Sequence, residues 1–222
     1  MDTDLRLILF DVDGTLVDSQ AAIVGAMTEA FRGQGLAVPS RSDILSIVGL
    51  SLPIACQRLA PTQGDNVIAA LVEGYKKSYM TTRQIEGAAH SPLFEGAREM
   101  LEVLHKVPEY LLGVATGKSQ RGLDTLIDAH DLSCFVTRQV ADHHPSKPHP
   151  SMVQTALAET GVRAEHCVMI GDTSYDMDMG RAAGVTTIAV SWGYHPLEQL
   201  RADHVIHEFT ELAPLLHSIW KD

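Results

Sequence analysis

Residues 5–19 read LRLILFDVDGTLVDS, an apolar run that ends in acidic and small polar residues. The run from Leu5 to Phe10 is short and apolar, which is typical of a strand buried on both faces of a parallel sheet. Asp11 and Asp13 follow its carboxyl end, and Gly14 permits the tight backbone turn there. Because active sites in open parallel sheets lie beyond the carboxyl ends of the strands, both aspartates are candidates for catalysis.

After this strand, the patterns divide the chain into a helical stretch and an alternating stretch. Four helical patterns follow one another between residues 19 and 83, so we predict an all-helical insert. Beyond Pro92 strands and helices alternate, which favours an α/β fold with a parallel sheet and helices on both faces. The predicted strands are 5–10, 110–115, 135–139, 167–170, 186–190 and a short edge strand at 205–206; the predicted helices are 19–34, 43–48, 52–59, 66–83, 96–106, 119–129, 150–159, 176–183 and 209–220.

The composition is that of an ordinary globular protein, with 222 residues of which 45% are hydrophobic and 20% charged. This length suits one sizeable domain, or a core with a smaller insert. The net charge of -11 repels nucleic-acid phosphates and anionic lipid, so neither is expected as a partner. The N-terminal apolar run is short and lacks a basic leader, so no signal peptide is predicted. No stretch approaches the roughly 20 apolar residues of a membrane span.

The cysteines and histidines predict no metal site. Cys56, Cys134 and Cys167 are far apart and form no C-x-x-C pair. They are expected to be reduced thiols, which favours a reducing compartment and a cytoplasmic location. A cluster of histidines near Lys147 raises the alternative of zinc, but it has no cysteine partner and a polar loop is the favoured interpretation. These histidines are His143, His144 and His149.

The spacing of Asp11 and Asp13 suits phosphoryl transfer. A carboxylate can attack phosphorus and form an aspartyl-phosphate, which water then hydrolyses. A second carboxyl group can protonate the leaving oxygen and later activate that water. A solvated acidic turn is the alternative for D-x-D-G alone. The continuation through Thr15 to Ser19 favours the catalytic interpretation, as do Thr116, Lys147 and Asp172, which lie at or between other predicted strand ends.

Four segments resemble the motifs of the haloacid dehalogenase superfamily of aspartate-nucleophile phosphatases. They are Asp11–Ser19 (DVDGTLVDS), Val114–Gly117 (VATG), Ser146–Pro150 (SKPHP) and Gly171–Asp176 (GDTSYD). They occur in the family's order and span nearly the whole chain, and they are most similar to the phosphoglycolate phosphatase branch. The resemblance implies a Rossmann-like core domain of residues 1–16 and 86–222, with an inserted all-helical cap domain of residues 17–85.

The resemblance also implies catalytic roles. Asp11 would be the nucleophile and Asp13 the general acid and base. Thr116 would hydrogen-bond the phosphoryl oxygens, together with backbone N–H groups near Gly117. Lys147 would neutralise charge between the nucleophile and the phosphoryl group, for which a point charge is suited. Helix capping by the threonine and a solvated loop lysine are the alternative interpretations.

A metal site follows from the same resemblance. Mg²⁺ would be held by the carboxylates of Asp11 and Asp172 and the main-chain carbonyl of Asp13. Clustered acids without a cation would be electrostatically costly, which independently favours a metal. Asp176 would orient a metal-bound water or Lys147, or else stabilise the helix dipole.

The sequence therefore predicts a Mg²⁺-dependent phosphatase that acts on a small phosphorylated metabolite, 2-phosphoglycolate or a similar compound. The alternatives are a phosphomutase acting on a sugar phosphate and a non-catalytic phosphate-binding protein. The cap loop Gly49, Leu50 and Ser51 is expected to face the active site and influence specificity. A monomer or a homodimer is expected. Candidate contacts for a substrate carboxylate are Arg58, Lys76 and Lys77, although solvated helix charges are the favoured interpretation for all three.

Overall fold

A six-stranded parallel sheet forms the centre of the protein. The computed structural model describes residues 5–220. Its strands are β1 (Arg6–Phe10), β2 (Tyr110–Thr116), β3 (Phe135–Val140), β4 (Cys167–Gly171), β5 (Thr186–Val190) and β6 (His204–Ile206). Their order across the sheet is β3-β2-β1-β4-β5-β6, and every neighbouring pair is parallel. The predicted parallel sheet, including its edge strand, is confirmed.

Helices flank this sheet and fill the interval between β1 and β2. Along the described residues they are α1 (Gln20–Gly33), α2 (Arg41–Ser46), α3 (Leu52–Leu59), α4 (Asp65–Glu86), α5 (Ala97–His105), α6 (Gln120–His130), α7 (Ser151–Thr160), α8 (Ser174–Ala182) and α9 (Leu212–Ile219). Short 3-10 segments lie at Gly87–His90, Ala164–His166, Leu197–Gln199 and Phe209–Glu211. None of the helices within residues 5–220 combines the length and the hydropathy that a membrane span requires.

The alternation of side chains along β1 explains why helices cover both faces of the sheet. Ile8 and Phe10 belong to an apolar cluster with residues of α5, α6 and α9. Leu7 and Leu9 point to the opposite face and belong to a second cluster with residues of α7 and α8. Since successive side chains of a strand point to opposite faces, an uninterrupted apolar run indicates burial on both. The predicted two-sided α/β architecture is confirmed.

The inserted helices α1–α4 have an apolar cluster of their own. Ile23, Met27 and Phe31 of α1 pack in it, and α4 contributes Leu71 and Val72. An all-helical insert between the first two strands is therefore present, as the unbroken run of helical patterns predicted. The boundaries at residues 17 and 85 stay a prediction.

Capping interactions account for helix ends that differ from the predicted ones. α8 begins at Ser174 rather than at residue 176, because the Thr173 hydroxyl accepts a hydrogen bond from the backbone of Asp176 and that carboxylate accepts one from the backbone of Thr173. The same reciprocal pair joins Ser40 and Asp43 and moves the start of α2 to Arg41. Both are capping boxes, which fix the first turn of a helix. The last predicted helix, 209–220, is divided into a 3-10 segment followed by α9.

The cysteines are free thiols, as expected. Cys56 and Cys167 are buried, and Cys134 is partly exposed. Burial raises the pKa of all three thiols, most strongly that of Cys167. A raised pKa keeps a thiol protonated and unreactive. Their role is therefore that of small apolar side chains in packing.

The central position of β1 predicts the effect of truncating its side chains. Leu7→Ala should lower the free energy of unfolding by about 2–5 kcal/mol, because Leu7 is 0% exposed and leaves a cavity. Leu5→Ala removes the same atoms from a side chain that is 42% exposed and should change stability by less than about 0.5 kcal/mol. Urea unfolding of both variants measures the difference, and equal losses would contradict the burial argument.

Candidate active site

Three neighbouring strands bring the predicted catalytic residues together. Asp11 follows β1, Thr116 is the last residue of β2, and Asp172 follows β4. Because β1 lies between β2 and β4, these residues meet at one edge of the sheet. The Asp11 backbone N–H donates to the carbonyl of Ile170 at 2.9 Å, which extends the pairing of β1 with β4 up to the aspartate itself.

The turn after Asp11 closes tightly against Asp172. The carbonyl of Val12 accepts hydrogen bonds from the backbone N–H groups of Leu16 and Val17 at 2.9 and 3.0 Å. Gly14 has a φ of +83°, and a Cβ added to it would lie 2.2 Å from an oxygen of Asp172. Only glycine satisfies both conditions, so this residue lets the carboxylate after β4 approach the turn after β1.

Lys147 lies between two aspartates in the interior. Its Nζ is 2.9 Å from Asp11 Oδ1 and 2.6 Å from Asp176 Oδ1, and all three side chains are buried. Burial lowers the pKa of Lys147, but the two carboxylates outweigh it and the net shift is upward. The lysine is therefore a permanent cation in the site. Asp176 also lies in the first turn of α8, where its Oδ2 accepts hydrogen bonds from Thr173, so this one residue both contacts Lys147 and occupies the helix N-terminus.

Asp172 is held by partners that the sequence analysis did not identify. Thr15 donates its hydroxyl hydrogen to Oδ1 at 2.9 Å, and the Tyr194 backbone N–H donates to Oδ2 at 2.9 Å. Burial raises the pKa of Asp172 well above its usual value, and the negative charges of Asp176 and Asp11 add to this shift. The carboxylate is thus oriented, and its charge is only partly compensated.

The buried carboxylates fit a hard cation. Oxygen atoms of Asp11, Asp172 and Asp176 lie within 4.8 Å of one another. Burial raises the pKa of Asp11 to about 7 although Lys147 lowers it, and Asp11 Oδ2 has no hydrogen-bond partner within residues 5–220. One lysine faces three carboxylates, so negative charge remains in excess. An oxygen-rich site of this charge suits a divalent cation.

The side chain of Asp13 is turned away from this cluster. Its Oδ1 accepts a hydrogen bond from the hydroxyl of Ser19, the residue preceding α1. It also lies 2.8 Å from the Nζ of Lys118, and this ion pair is almost fully buried. Burial lowers the pKa of Lys118, but Asp13 and Tyr79 outweigh it and the net shift is upward. The backbone hydrogen bonds of the turn are accepted by the carbonyls of Val12 and Val17, not by that of Asp13.

Lys118 was not predicted as a site residue. The signal that could have found it is its position in the loop that directly follows β2, next to Gly117. Its backbone N–H donates to Thr116 Oγ1 at 3.3 Å, so the two residues share one turn. Thr116 itself is buried.

The loop between α2 and α3 lies against the core. A Cβ added to Gly117 would lie 2.5 Å from the carbonyl oxygen of Gly49 and 2.8 Å from that of Leu50. The Ser51 backbone N–H donates to the hydroxyl of Ser146 at 2.9 Å. A residue with a side chain at position 117 would therefore push the helical segment off the core.

A cavity of about 770 Å³ lies between the helical segment and the core. Asp11 and Asp13 form part of its wall, whereas Lys147, Asp172 and Asp176 are buried and are not among the residues that line it. The other predicted site residues that line it are Thr116, Gly117, Gly49, Leu50 and Ser51. Residues of the helical segment and residues of the α/β core thus line the same cavity.

Two of the three remaining candidates have structural partners. Arg58 donates to the hydroxyl of Tyr175 at 2.7 Å. Lys76, which lines the cavity, pairs with Glu73 at 2.8 Å, and both side chains are largely exposed. Lys77 is exposed and is not among the residues that line the cavity.

The histidine cluster does not form a metal site. His144 uses both ring nitrogens, one with Ser151 and one with Gln139, each at 2.8 Å. Of the residues that the structure describes, only the three buried aspartates form a group close enough to hold a metal ion.

The fold and the site together define a class of protein: a parallel α/β core with an aspartate–lysine–aspartate centre beside the first strand, covered by inserted helices. A family model described as haloacid dehalogenase-like hydrolase matches residues 8–190. The chain belongs to this family. The predicted resemblance is confirmed, and with it the prediction of a phosphatase-type hydrolase of this superfamily.

Relatives in sequence and structure agree with this assignment. The chain is 35% identical to the probable phosphatase IndB of Dickeya dadantii (strain 3937), over 97% of this chain and 95% of that one. It is 26% identical to the pyrophosphatase PpaX of Bacillus mycoides (strain KBAB4), over 97% and 98%. A haloacid dehalogenase-like hydrolase from Streptococcus pneumoniae superposes with a TM-score of 0.80 at 26% identity, over 97% and 99%.

A structure described as a predicted phosphoglycolate phosphatase, from Haemophilus somnus 129pt, superposes with a TM-score of 0.82. Its sequence identity is 21%, over 97% of this chain and 99% of that one. Because the sequence identity is only 21%, this structural similarity shows that the two proteins share a fold and nothing further.

The burial of Lys147 predicts a large effect on stability. In the absence of divalent cations, Lys147→Met should lower the free energy of unfolding by about 3–5 kcal/mol, because Asp11 and Asp176 lose their shared counter-charge. Lys76→Met is the matched control: it breaks an exposed pair of similar length and should cost less than about 1 kcal/mol. Urea unfolding compares them, and equally small losses would mean that Lys147 does not compensate buried charge.

Proposed function

We propose that this protein is a Mg²⁺-dependent phosphatase that hydrolyses a small phosphate monoester through an aspartyl-phosphate on Asp11. The observation that carries the proposal is the state of the Asp11 carboxylate. One of its oxygens is paired with Lys147, the other has no partner among the described residues, and the residue lines the cavity. A carboxylate oxygen in that position is suited to attack a phosphorus atom.

In the first step, a carboxylate oxygen of Asp11 forms a bond to phosphorus while the bond from phosphorus to the leaving oxygen breaks. In this step Asp13, which also lines the cavity, acts as a neutral carboxylic acid: its Oδ1 stays in contact with Lys118 and Ser19, and the proton on its other oxygen passes to the leaving oxygen. Lys147 remains beside the nucleophile and compensates its charge. Thr116 and the backbone N–H groups near Gly117 donate hydrogen bonds to the phosphoryl oxygens.

In the second step, water attacks phosphorus and the bond between phosphorus and the Asp11 oxygen breaks. The Asp13 carboxylate accepts the proton of this water, so inorganic phosphate leaves and Asp11 is again a carboxylate. Ser19 and Lys118 contact Asp13 Oδ1 and hold that side chain in place through both steps.

The carboxylates of Asp11 and Asp172 and the main-chain carbonyl of Asp13 would hold Mg²⁺. The fit rests on the excess of negative charge in the buried cluster of Asp11, Asp172 and Asp176. When bound, Mg²⁺ supplies positive charge that stabilises the phosphoryl oxygens as they gain electron density. Asp176 positions Lys147 from its other side.

The substrate is a small phosphorylated metabolite, and 2-phosphoglycolate is the candidate that the sequence resemblance suggests. The named relatives include a probable phosphatase and a pyrophosphatase, which share the phosphate group as substrate chemistry. The loop of Gly49, Leu50 and Ser51 lines the cavity. Over a bound substrate it would help to exclude water from the phosphoryl group. A cytoplasmic location, and a monomeric or homodimeric state, complete the proposal.

Replacement of the nucleophile tests the covalent mechanism. Asp11→Asn should lower kcat for phenyl phosphate by more than about 10³-fold, because an amide is a poor nucleophile, while the protein stays folded. Asp178→Asn alters an exposed aspartate of α8 and should leave kcat unchanged. Acid quenching during turnover should show one added phosphoryl group on the wild-type peptide that contains Asp11. Near wild-type turnover by Asp11→Asn would contradict the mechanism, and release of inorganic phosphate to water distinguishes hydrolysis from phosphomutase activity.

Removal of metal tests the proposed cofactor. EDTA should abolish turnover of phenyl phosphate, and Mg²⁺ should restore it. Ca²⁺ should bind yet support little turnover, because its coordination is longer and looser. Asp172→Asn should raise the Mg²⁺ concentration needed for half-maximal activity by about tenfold or more, whereas Asp178→Asn should not. Full activity after exhaustive chelation, in protein that contains no metal, would exclude the site.

A further inference from the structure

The cavity is larger than the proposed chemistry requires. Its volume of about 770 Å³ is in the range of pockets that enclose drug-sized ligands, whereas 2-phosphoglycolate has a two-carbon body. Beyond Asp11 and Asp13 the wall is apolar on the side of α1, where Ile23 and Met27 line it. The space thus accommodates a substrate with an extended organic body.

One face of α4 runs along this space. Tyr75, Tyr79 and Arg83 all line the cavity, and their spacing of four residues places them on the same side of the helix. The hydroxyl of Tyr79 lies 3.4 Å from the Nζ of Lys118, which in turn contacts Asp13. The backbone of Arg83 follows that of Tyr79 by about 6 Å along the helix axis. Along this face of α4, Tyr79 therefore lies near Asp13, and the guanidinium group of Arg83 lies one turn further from it.

Two guanidinium groups in the cavity wall have no counter-charge. Arg83 of α4 and Arg121 of α6 both line the cavity, and neither has an acidic partner within 4 Å among residues 5–220. The Nη2 atom of Arg83 is buried and has no hydrogen-bond partner in the described part of the chain. Burial lowers the pKa of Arg83, and the nearby charge of Arg121 lowers it further against the influence of Tyr79. Arg121 is exposed, whereas Arg83 is partly buried. A partly buried cation without a partner is energetically unfavourable, and an anionic ligand would supply the missing counter-charge to Arg83.

The other charged groups in the wall are already engaged. Lys76 pairs with Glu73, and Lys118 pairs with Asp13. Asp142, the remaining acid in the wall, accepts a hydrogen bond from the Gln120 backbone at 2.8 Å. Asp142 keeps its negative charge, but neither it nor any other carboxylate of residues 5–220 lies within 4 Å of the Arg83 or Arg121 guanidinium group.

We propose that Arg83 and Arg121 form a second anion-binding subsite, which takes a carboxylate or phosphate group at the end of the substrate remote from the phosphoryl group that is hydrolysed. Arginine presents paired donors that match both oxyanions. The inference rests on the proposed function and narrows its substrate class to organic phosphates with a second, distant negative group. Because Arg83 lies in the helical segment and Arg121 in the core, one ligand group would bridge the two.

A matched pair of substrates tests the subsite. Phenyl phosphate carries only the reacting group, and 4-carboxyphenyl phosphate adds a carboxylate at the far end of the ring. Arg83→Gln and Arg121→Gln should each lower kcat/KM for 4-carboxyphenyl phosphate by about 10- to 100-fold, the usual effect of losing a hydrogen bond to a charged group. Both should leave kcat/KM for phenyl phosphate within about twofold. Arg41→Gln, at an exposed arginine outside the cavity wall, should affect neither substrate. A 1,4-phenylene bisphosphate shows whether the preferred second group is a phosphate.

Equal losses on phenyl phosphate and 4-carboxyphenyl phosphate would assign the arginines a structural role and overturn the subsite, as would no loss on either. Calorimetric binding to the Asp11→Asn variant provides a measurement independent of turnover. Tighter binding of 4-carboxyphenyl phosphate than of phenyl phosphate, abolished by Arg83→Gln in that background, supports the subsite even if neither compound is hydrolysed. Equal binding of the two overturns it. Absence of hydrolysis by the wild-type protein with Mg²⁺ would count against the proposed function alone.

Discussion

The ion pairs of Lys147 are the interaction on which the site depends. Its buried side chain lies 2.9 Å from Asp11 and 2.6 Å from Asp176, on a loop that belongs to neither of their segments. Without this cation, the carboxylates gathered beside β1 and β4 would repel one another where water is excluded, and the desolvation of each would oppose folding. With it, the protein can bury Asp11 while one carboxylate oxygen accepts no hydrogen bond from any residue that the structure describes. The buried positive charge of Lys147 therefore both stabilises the fold at this point and keeps Asp11 available for reaction.

The parts of the site that follow strand ends were predictable from the sequence. Asp11, Thr116 and Asp172 each end a strongly apolar run, and parallel strands place their carboxyl ends at one edge of the sheet. The fold itself was predictable for the same reason, since a run such as Leu7 to Phe10 can only be buried on both faces. What these patterns could not give was the order of the strands, which depends on side-chain packing across the whole sheet.

The residues that the sequence did not reveal reach the site through packing or through helix faces. The backbone N–H of Tyr194 contacts Asp172 from a loop after β5, a pairing that no local pattern encodes. Lys118 is a loop lysine and Arg83 a helix arginine, and in a sequence both resemble ordinary solvated charges. Only the structure shows that Lys118 is buried against Asp13 and that Arg83 faces a cavity. The predicted starts of α2 and α8 were wrong by two residues for a similar reason, because the capping hydrogen bonds that fix them depend on side-chain geometry.

The position of β1 in the sheet has a consequence for the order of folding. Leu7 pairs with Leu111 of β2 and with Cys167 of β4, which are 104 and 160 positions away along the chain. Contacts of such sequence separation form only after long loops have closed, at an entropic cost that delays them. The apolar cluster of α1–α4 is built from nearby residues and can form earlier. Asp11 and Asp172, which follow β1 and β4, are therefore expected to stay hydrated and apart until these two strands pair, so that their mutual repulsion arises when the sheet is already present to resist it.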